Sequence, residues 1–237
     1  MERILITGSK GNIGSVLVPE LSDEFEVVGL DRIGIQTPSF RTVDITDYSE
    51  LENAFRFFVP KYVVHLAGNP NEDARWEEIY GPNILGAHNV YECSRRFGIK
   101  KVIFASSTHL IGGYEGYPEG PIENGRILTI EDLVKSDSDY GTSKALGELV
   151  AQQYYNLHQL NSICLRIGWF RSEKTLGVKS VYDKLSISPR DFVQLVRKSI
   201  RSNKPFGIYF GISNNPGGYL DISNAVKDLD YQPQDSF

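Results

Sequence analysis

The chain opens on a short apolar strand, Arg3-Ile4-Leu5-Ile6-Thr7, followed at once by Gly8-Ser9-Lys10-Gly11-Asn12-Ile13-Gly14 and the amphipathic Ser15-Val16-Leu17-Val18-Pro19-Glu20-Leu21. Strand, glycine turn and helix in immediate succession constrain the fold more than any other stretch, because they begin a parallel sheet with crossover helices. Glycine serves three purposes in such a turn. It lets the chain reverse tightly, lets backbone amides approach a pyrophosphate, and lets helix pack closely on strand. The helix N-terminus then faces the phosphates of a dinucleotide. The spacing here is Gly-x-x-Gly-x-x-Gly.

Further strands follow in the rhythm of an α/β chain. Phe25-Glu26-Val27-Val28-Gly29-Leu30 ends in Asp31-Arg32, placing an acid about twenty residues beyond the turn, where it accepts from adenosine ribose hydroxyls. That acid repels a 2′-phosphate and favours NAD over NADP, while Arg32 keeps the other cofactor open because a guanidinium holds a phosphate well. Phe40 to Ile45 reads as a third strand with Asp44 at its tip, placed to meet an adenine amino group. Tyr48 to Phe58 reads as a helix with Leu51, Ala54, Phe55 and Phe58 on one face. Tyr62 onward is a fourth strand breaking at Gly68; His65 within it reads as a satisfied core histidine. Glu77 to Arg96 reads as a long helix that Pro82 either kinks or delays. Asn83 on that helix either holds backbone or water near the site or is polar surface.

The chemistry-bearing residues come next. Lys101-Val102-Ile103-Phe104 is a buried-strand pattern that turns into hydroxyls at Ser106-Ser107-Thr108, where a parallel strand surfaces at the carboxyl edge of its sheet. Some thirty residues on, Tyr140 precedes Lys144 by one helical turn, so the two side chains share a face. A phenol titrates near ~10 and is a poor base at neutral pH; a nearby ammonium favours the phenolate. A serine hydroxyl opposite orients a substrate alcohol or carbonyl without adding charge. Ser107, Tyr140 and Lys144 are therefore the expected catalytic residues. The glycine- and proline-rich loop from Ile111 to Ser138 is expected to shape the substrate mouth.

The remainder is a sixth strand at Ser162–Gly168, an irregular stretch Trp169–Lys184 with Arg171, Lys174 and Lys179, and a helix over Ser188–Ser202 opened by serine and proline. A last strand at Phe206–Phe210 and a closing helix at Ile222–Leu229 complete it. No repeat or linker divides the 237 residues, and charged residues at 23% with a net charge of −5 show no basic stripe for nucleic acid. Cys93 and Cys164 lie in apolar contexts without zinc spacing, as reduced core residues do. No apolar run spans a membrane and the chain starts directly on a strand, so cytoplasmic residence is expected.

Taken together, Gly8-x-x-Gly11-x-x-Gly14, Asp31, His65-Leu66-Ala67-Gly68, Asn83, Ser107 and Tyr140-x-x-x-Lys144 resemble the extended short-chain dehydrogenases/reductases, the NAD-dependent epimerase/dehydratase family. Within it, Phe104-Ala105-Ser106-Ser107-Thr108-His109, Leu165-Arg166-Ile167-Gly168, Arg190-Asp191-Phe192 and Tyr231-Gln232-Pro233-Gln234-Asp235 are similar to segments of uronate dehydrogenases and related archaeal sugar dehydrogenases. The resemblance implies a Rossmann-like, doubly wound parallel sheet with helices on both faces. It also implies one domain over 1–237, its small substrate-binding part formed mainly by about 108–138 and 169–237.

Carried over, the resemblance makes Tyr140 the base, Lys144 its electrostatic partner and ribose ligand, and Ser107 the hydroxyl that positions substrate. Gly8, Gly11, Asn12, Ile13, Gly14, Asp31 and Arg32 would hold NAD. Asp44, Ile45, Leu66, Ala67 and Gly68 would surround adenine and ribose, with Asn83 and Ile167 also on the cofactor side. Pro70, Ser107, Thr108, His109, Trp169 and Arg171 would meet the substrate. The implied reaction oxidises the anomeric hydroxyl of a sugar or sugar acid to a lactone, in a homo-oligomer paired through long central helices.

Uronate dehydrogenases differ from this chain in carrying asparagine at the position of Thr108 and serine at those of Pro70 and Trp169. Their carboxylate-pairing arginine has no clear counterpart between Gly168 and Ser188, where Arg171, Lys174 or Lys179 are the candidates to replace it. Two other readings remain. One is a nucleotide-sugar epimerase or dehydratase using the same tyrosine, against which stand only about seventy residues after Gly168. The other is a non-catalytic dinucleotide sensor, against which stand Ser107, Tyr140 and Lys144.

Overall fold

Ile4, Leu5 and Ile6 are all fully buried, yet Ile4 and Ile6 belong to one core and Leu5 to another. Alternate residues of a strand covered on both faces divide in this way. The structure, a computed structural model, describes residues 1–114, 116–118, 126–172, 175 and 177–237. Its first half runs β1 (Arg3–Thr7), α1 (Gly14–Leu21), β2 (Glu26–Asp31), β3 (Phe40–Thr42), α2 (Tyr48–Phe58), β4 (Tyr62–His65), α3 (Trp76–Ile79) and α4 (Gly86–Arg96). There follow β5 (Lys101–Ser107), α5 (Asp139–His158), β6 (Asn161–Ile167), β7 (Trp169–Phe170), β8 (Ser186–Ile187), α6 (Pro189–Arg201), β9 (Phe206–Gly211) and α7 (Ser223–Leu229).

Seven strands form one parallel sheet in the order β3-β2-β1-β4-β5-β6-β9, and β7 pairs β8 apart from it. Winding reverses between β1 and β4, which opens a crevice beyond their carboxyl ends. Leu17 and Leu21 of α1, Phe192 and Leu195 of α6 and Leu229 of α7 pack on one face. Phe55 and Phe58 of α2, Val90 and Tyr91 of α4 and Ala151 and Tyr154 of α5 pack on the other. The expected doubly wound α/β architecture is present.

Several boundaries differ from the sequence reading for identifiable reasons. The third strand stops at Thr42 rather than Ile45, because its only neighbour, β2, ends at Asp31 opposite Thr42. Asp44 then accepts from Thr46 N at 2.9 Å, a turn in place of a ladder. The long helix from Trp76 to Arg96 is interrupted by a π-helical segment, Tyr80–Leu85, around Pro82. Proline has no N–H to donate, and the helix accommodates it by a widened π-helical turn rather than by starting later. Ser188 caps α6 by accepting from Asp191 N, with Pro189 in its first turn, as expected.

His65 is buried and shares a 2.8 Å hydrogen bond with Thr7 Oγ1, a satisfied core histidine. Both cysteines are free and buried. Among the described residues no helix is long and apolar enough to cross a membrane.

Candidate active site

Helix α5 sits directly on β5: a Cβ on Gly147 would stand 2.2 Å from the Phe104 ring, so only glycine permits this approach. The packing fixes the first turns of α5 over the tip of the strand. Ser138 caps the helix by accepting from Gly141 N at 3.1 Å, and Tyr140 follows in the first turn. The Tyr140 phenol faces the side chain of Ser107, the last residue of β5, across the cleft. One turn on, Lys144 Nζ donates to Ala105 O at 2.9 Å and lies 5.6 Å from the centroid of the Tyr140 ring. The three expected catalytic side chains converge.

Burial dominates the electrostatics of this group. Removal from water raises the Tyr140 phenol above its ordinary value, the Ser107 hydroxyl beside it pulls it down, and the Glu72 charge adds to the rise. The same burial lowers the Lys144 ammonium to about 8. Desolvation thus sets the direction of the phenol's shift, opposite to the expectation that the lysine brings it toward neutral.

Behind Ser107, a buried ion pair steadies the strand tips. Glu148, one turn beyond Lys144, accepts from Ser106 Oγ at 2.6 Å and from Arg166 Nη2 at 2.9 Å. The pair is buried, so each charge depends on the other, and together they tie α5 to β5 and β6.

The cleft continues from this group to the glycine turn. Gly8 has φ +71, and a Cβ there would lie 2.8 Å from Ala67 N; backbone from β1 and β4 thus meets at a spot with no room for a side chain. Lys10 N donates to Asp31 Oδ2 at 2.9 Å, tethering the turn to the tip of β2. The whole cleft encloses about 1110 Å³. Gly8, Gly11, Asn12, Ile13, Gly14, Asp31, Arg32, Asp44, Ile45, Leu66, Ala67 and Gly68 line one part of it. Pro70, Ser107, Thr108, His109, Tyr140, Lys144, Ile167 and Trp169 line the rest.

Two expected residues do not line it. Asn83 is buried and accepts from Asn69 N at 2.6 Å while its amide donates to Asn69 O and Ser143 Oγ. It therefore holds backbone, binding the loop after β4 to α5. Arg171 is 1% exposed, donates to Val178 O, pairs with Asp183 at 3.4 Å and lies over the Trp169 and Phe237 rings. A residue four past the end of β6 turns inward here. Of the other candidates for an acid partner, Lys179 is exposed and stands 3.7 Å from Asp183, and Lys174 lies outside the described residues.

His109 lines the cleft as expected, but its contacts, and two tyrosines that line the cleft with it, were not legible beforehand. His109 bridges two carboxylates, Nε2 to Glu72 at 2.8 Å and Nδ1 to Asp137 at 2.8 Å, and packs edge-on against Tyr140 and Tyr117. Burial lowers the His109 imidazole, but Asp137 and Glu72 together outweigh it and raise the group above its ordinary value. Tyr117, from the loop expected to shape the mouth, and Tyr182 also line the cleft. Among the described residues no group of His, Cys, Asp and Glu is arranged to hold a metal.

A doubly wound parallel sheet, a glycine-lined crevice at its switch point and a serine-tyrosine-lysine group beside it define a Rossmann-type protein of the short-chain dehydrogenase/reductase kind. The chain belongs to the NAD dependent epimerase/dehydratase family, whose pattern matches residues 4–185. It is 31% identical to L-arabinose 1-dehydrogenase (NAD(P)(+)) of Haloferax volcanii, covering 100% of this chain and 98% of that protein. It is 32% identical to uronate dehydrogenase of Pseudomonas putida, covering 99% and 84%. A tyrosine-to-alanine variant of Agrobacterium tumefaciens uronate dehydrogenase, complexed with NAD, superposes with a TM-score of 0.85 at 27% identity over 99% of this chain and 85% of that one.

Proposed function

We propose that this chain is an NAD-dependent dehydrogenase that oxidises the anomeric hydroxyl of a small sugar or sugar acid to a lactone, with Tyr140 as the base. The observation that carries the reading is the meeting of the Tyr140 hydroxyl, the Ser107 side chain and Lys144 at one end of a cleft that runs unbroken to the glycine turn. The cofactor fits what the residues offer. Backbone crowding at Gly8 leaves space that suits a pyrophosphate and no side chain, and Asp31 at the tip of β2 suits a ribose diol. Relatives named for dehydrogenation of L-arabinose with NAD(P)(+) and of uronate support the same assignment.

When bound, NAD supplies the hydride acceptor. The protein's part is orientation and proton movement. Ser107 donates to or accepts from the sugar oxygen and holds it against Tyr140; the phenolate takes the anomeric hydroxyl proton as C1 loses its hydride and becomes a carbonyl carbon. Lys144, held by Ala105 O, keeps a positive charge beside the phenolate that forms.

The apolar cluster of Ile111, Tyr114, Leu128, Leu185, Phe210, Ile212, Tyr219 and Leu220 supports a substrate-binding part built from about 108–138 and 169–237 on the single domain. Leu149 and Leu157 stand exposed on α5, 59% and 67%, and support a homo-oligomer formed through that helix.

The test is a panel of aldoses, uronates and sugar phosphates with NAD and NADP, followed by absorbance of the reduced cofactor. Net, Tyr140-dependent reduction is the expected result. Turnover of nucleotide sugars without accumulation of reduced cofactor would replace this reading with an epimerase or dehydratase.

A further inference from the structure

The corner of the substrate end around His109 carries more negative than positive charge. Among the described residues lining the cleft from Asn69 to Leu185, the acids are Glu72 and Glu78 and the cations are Lys144 and His109. Lys144 is engaged by Ala105 O. His109 is engaged twice, by Glu72 and by Asp137. Even with both ring nitrogens protonated, one imidazolium facing two carboxylates leaves this corner negative. Lys10 and Arg32, the other cations on the cleft, belong to the glycine turn and the tip of β2. Of the candidates to pair an acid substrate, Arg171 and Lys179 do not line it and Lys174 lies outside the described residues.

We propose that the substrate is an uncharged aldose and that Glu72 is the residue that selects it, a proposal that rests on the sugar-oxidising reading above. A carboxylate has about four acceptor sites, and a sugar presents only hydroxyl donors to them. His109 takes one of these sites on Glu72 through its 2.8 Å contact. The imidazole is itself packed against the Tyr140 ring at 5.5 Å and the Tyr117 ring at 5.8 Å, so it fixes Glu72 relative to the phenol. Glu72 already acts on the phenol through its charge. A uronate carboxylate or a sugar phosphate brought to the same place meets that charge, and the His109 beside it is already shared between Glu72 and Asp137. A neutral sugar of the same configuration offers the same ring hydroxyls without the repulsion.

The experiment compares sugars that differ only at C6. Steady-state oxidation with NAD is measured for D-galactose against D-galacturonate, for D-glucose against D-glucuronate and D-glucose 6-phosphate, and for aldopentoses alongside. The neutral member of each pair is expected to have kcat/KM higher on the order of 10²-fold, mainly through KM. In Glu72→Gln the charged member gains and the neutral one loses, narrowing the ratio on the order of tenfold. Preference for a uronate or phosphate over its neutral counterpart, or a ratio that Glu72→Gln leaves unchanged, overturns the assignment while leaving sugar oxidation intact. Failure of every sugar to reduce NAD instead sinks the sugar-oxidising reading, and this assignment with it.

Discussion

The Ser107 side chain lies beside the Tyr140 phenol across the junction of α5 and β5, and it draws the phenol's pKa down against the burial that raises it. Ser107→Ala removes the stabilised phenolate's partner and the group that orients the sugar oxygen. We expect kcat to fall about 10²-fold and the pH–rate profile to move to higher pH. NAD affinity, followed by fluorescence titration, is expected to stay within about twofold, because Ser107 is assigned to the substrate.

Rate should also rise with pH. Tyr140 must be ionised to take a proton, and burial together with Glu72 holds it above the ordinary phenol value. Sugar oxidation at saturating NAD is therefore expected to climb up to about tenfold per pH unit from neutral into the alkaline range. Glu72→Gln removes a neighbouring negative charge and should shift this limb to lower pH; a shift to higher pH would contradict the account.

Lys144 costs stability in return for its role. Its ammonium falls from the ordinary 10.5 to about 8 on folding, so the unfolded chain holds the proton more tightly. The penalty is complete below about 8 and disappears as pH rises through the unfolded value near 10.5. At 1.36 kcal/mol per unit it amounts to about 3 kcal/mol, offset by about 1 kcal/mol from the Ala105 hydrogen bond. Lys144→Met is expected to abolish oxidation yet raise the unfolding free energy by about 2 kcal/mol at neutral pH, a gain that vanishes above about pH 10. Urea unfolding at the two pH values measures it.

How much of this could be read in the chain depends on how local the cause is. The β1–Gly8–α1 unit and the Tyr140–Lys144 spacing are written in adjacent residues, and the sheet and the shared cleft follow from them. His109's partners are not local. Asp137 lies 28 residues away and Glu72 on the far wall, so only the winding of the sheet brings them together. Arg171 faces inward toward Asp183 because its loop folds back on β8, which no spacing rule reveals. The phenol's raised pKa is equally hidden, since composition shows the lysine beside it and not the water excluded around it.

Asp31 sets the choice of cofactor. Its carboxylate sits at the tip of β2, held by Lys10 N, with Arg32 exposed next to it. Asp31→Ser removes the charge that opposes a 2′-phosphate and leaves the guanidinium to attract one. The ratio of kcat/KM with NADP to that with NAD is expected to rise on the order of 10²-fold.

The most direct test of the central claim is Tyr140→Phe, which deletes one oxygen from the site and leaves the ring that packs on His109. Single-turnover oxidation and NAD titration should be measured on the same preparation. The account predicts a rate lower by about 10³-fold or more with NAD affinity within about threefold. A variant that keeps more than about a tenth of the original rate would contradict it.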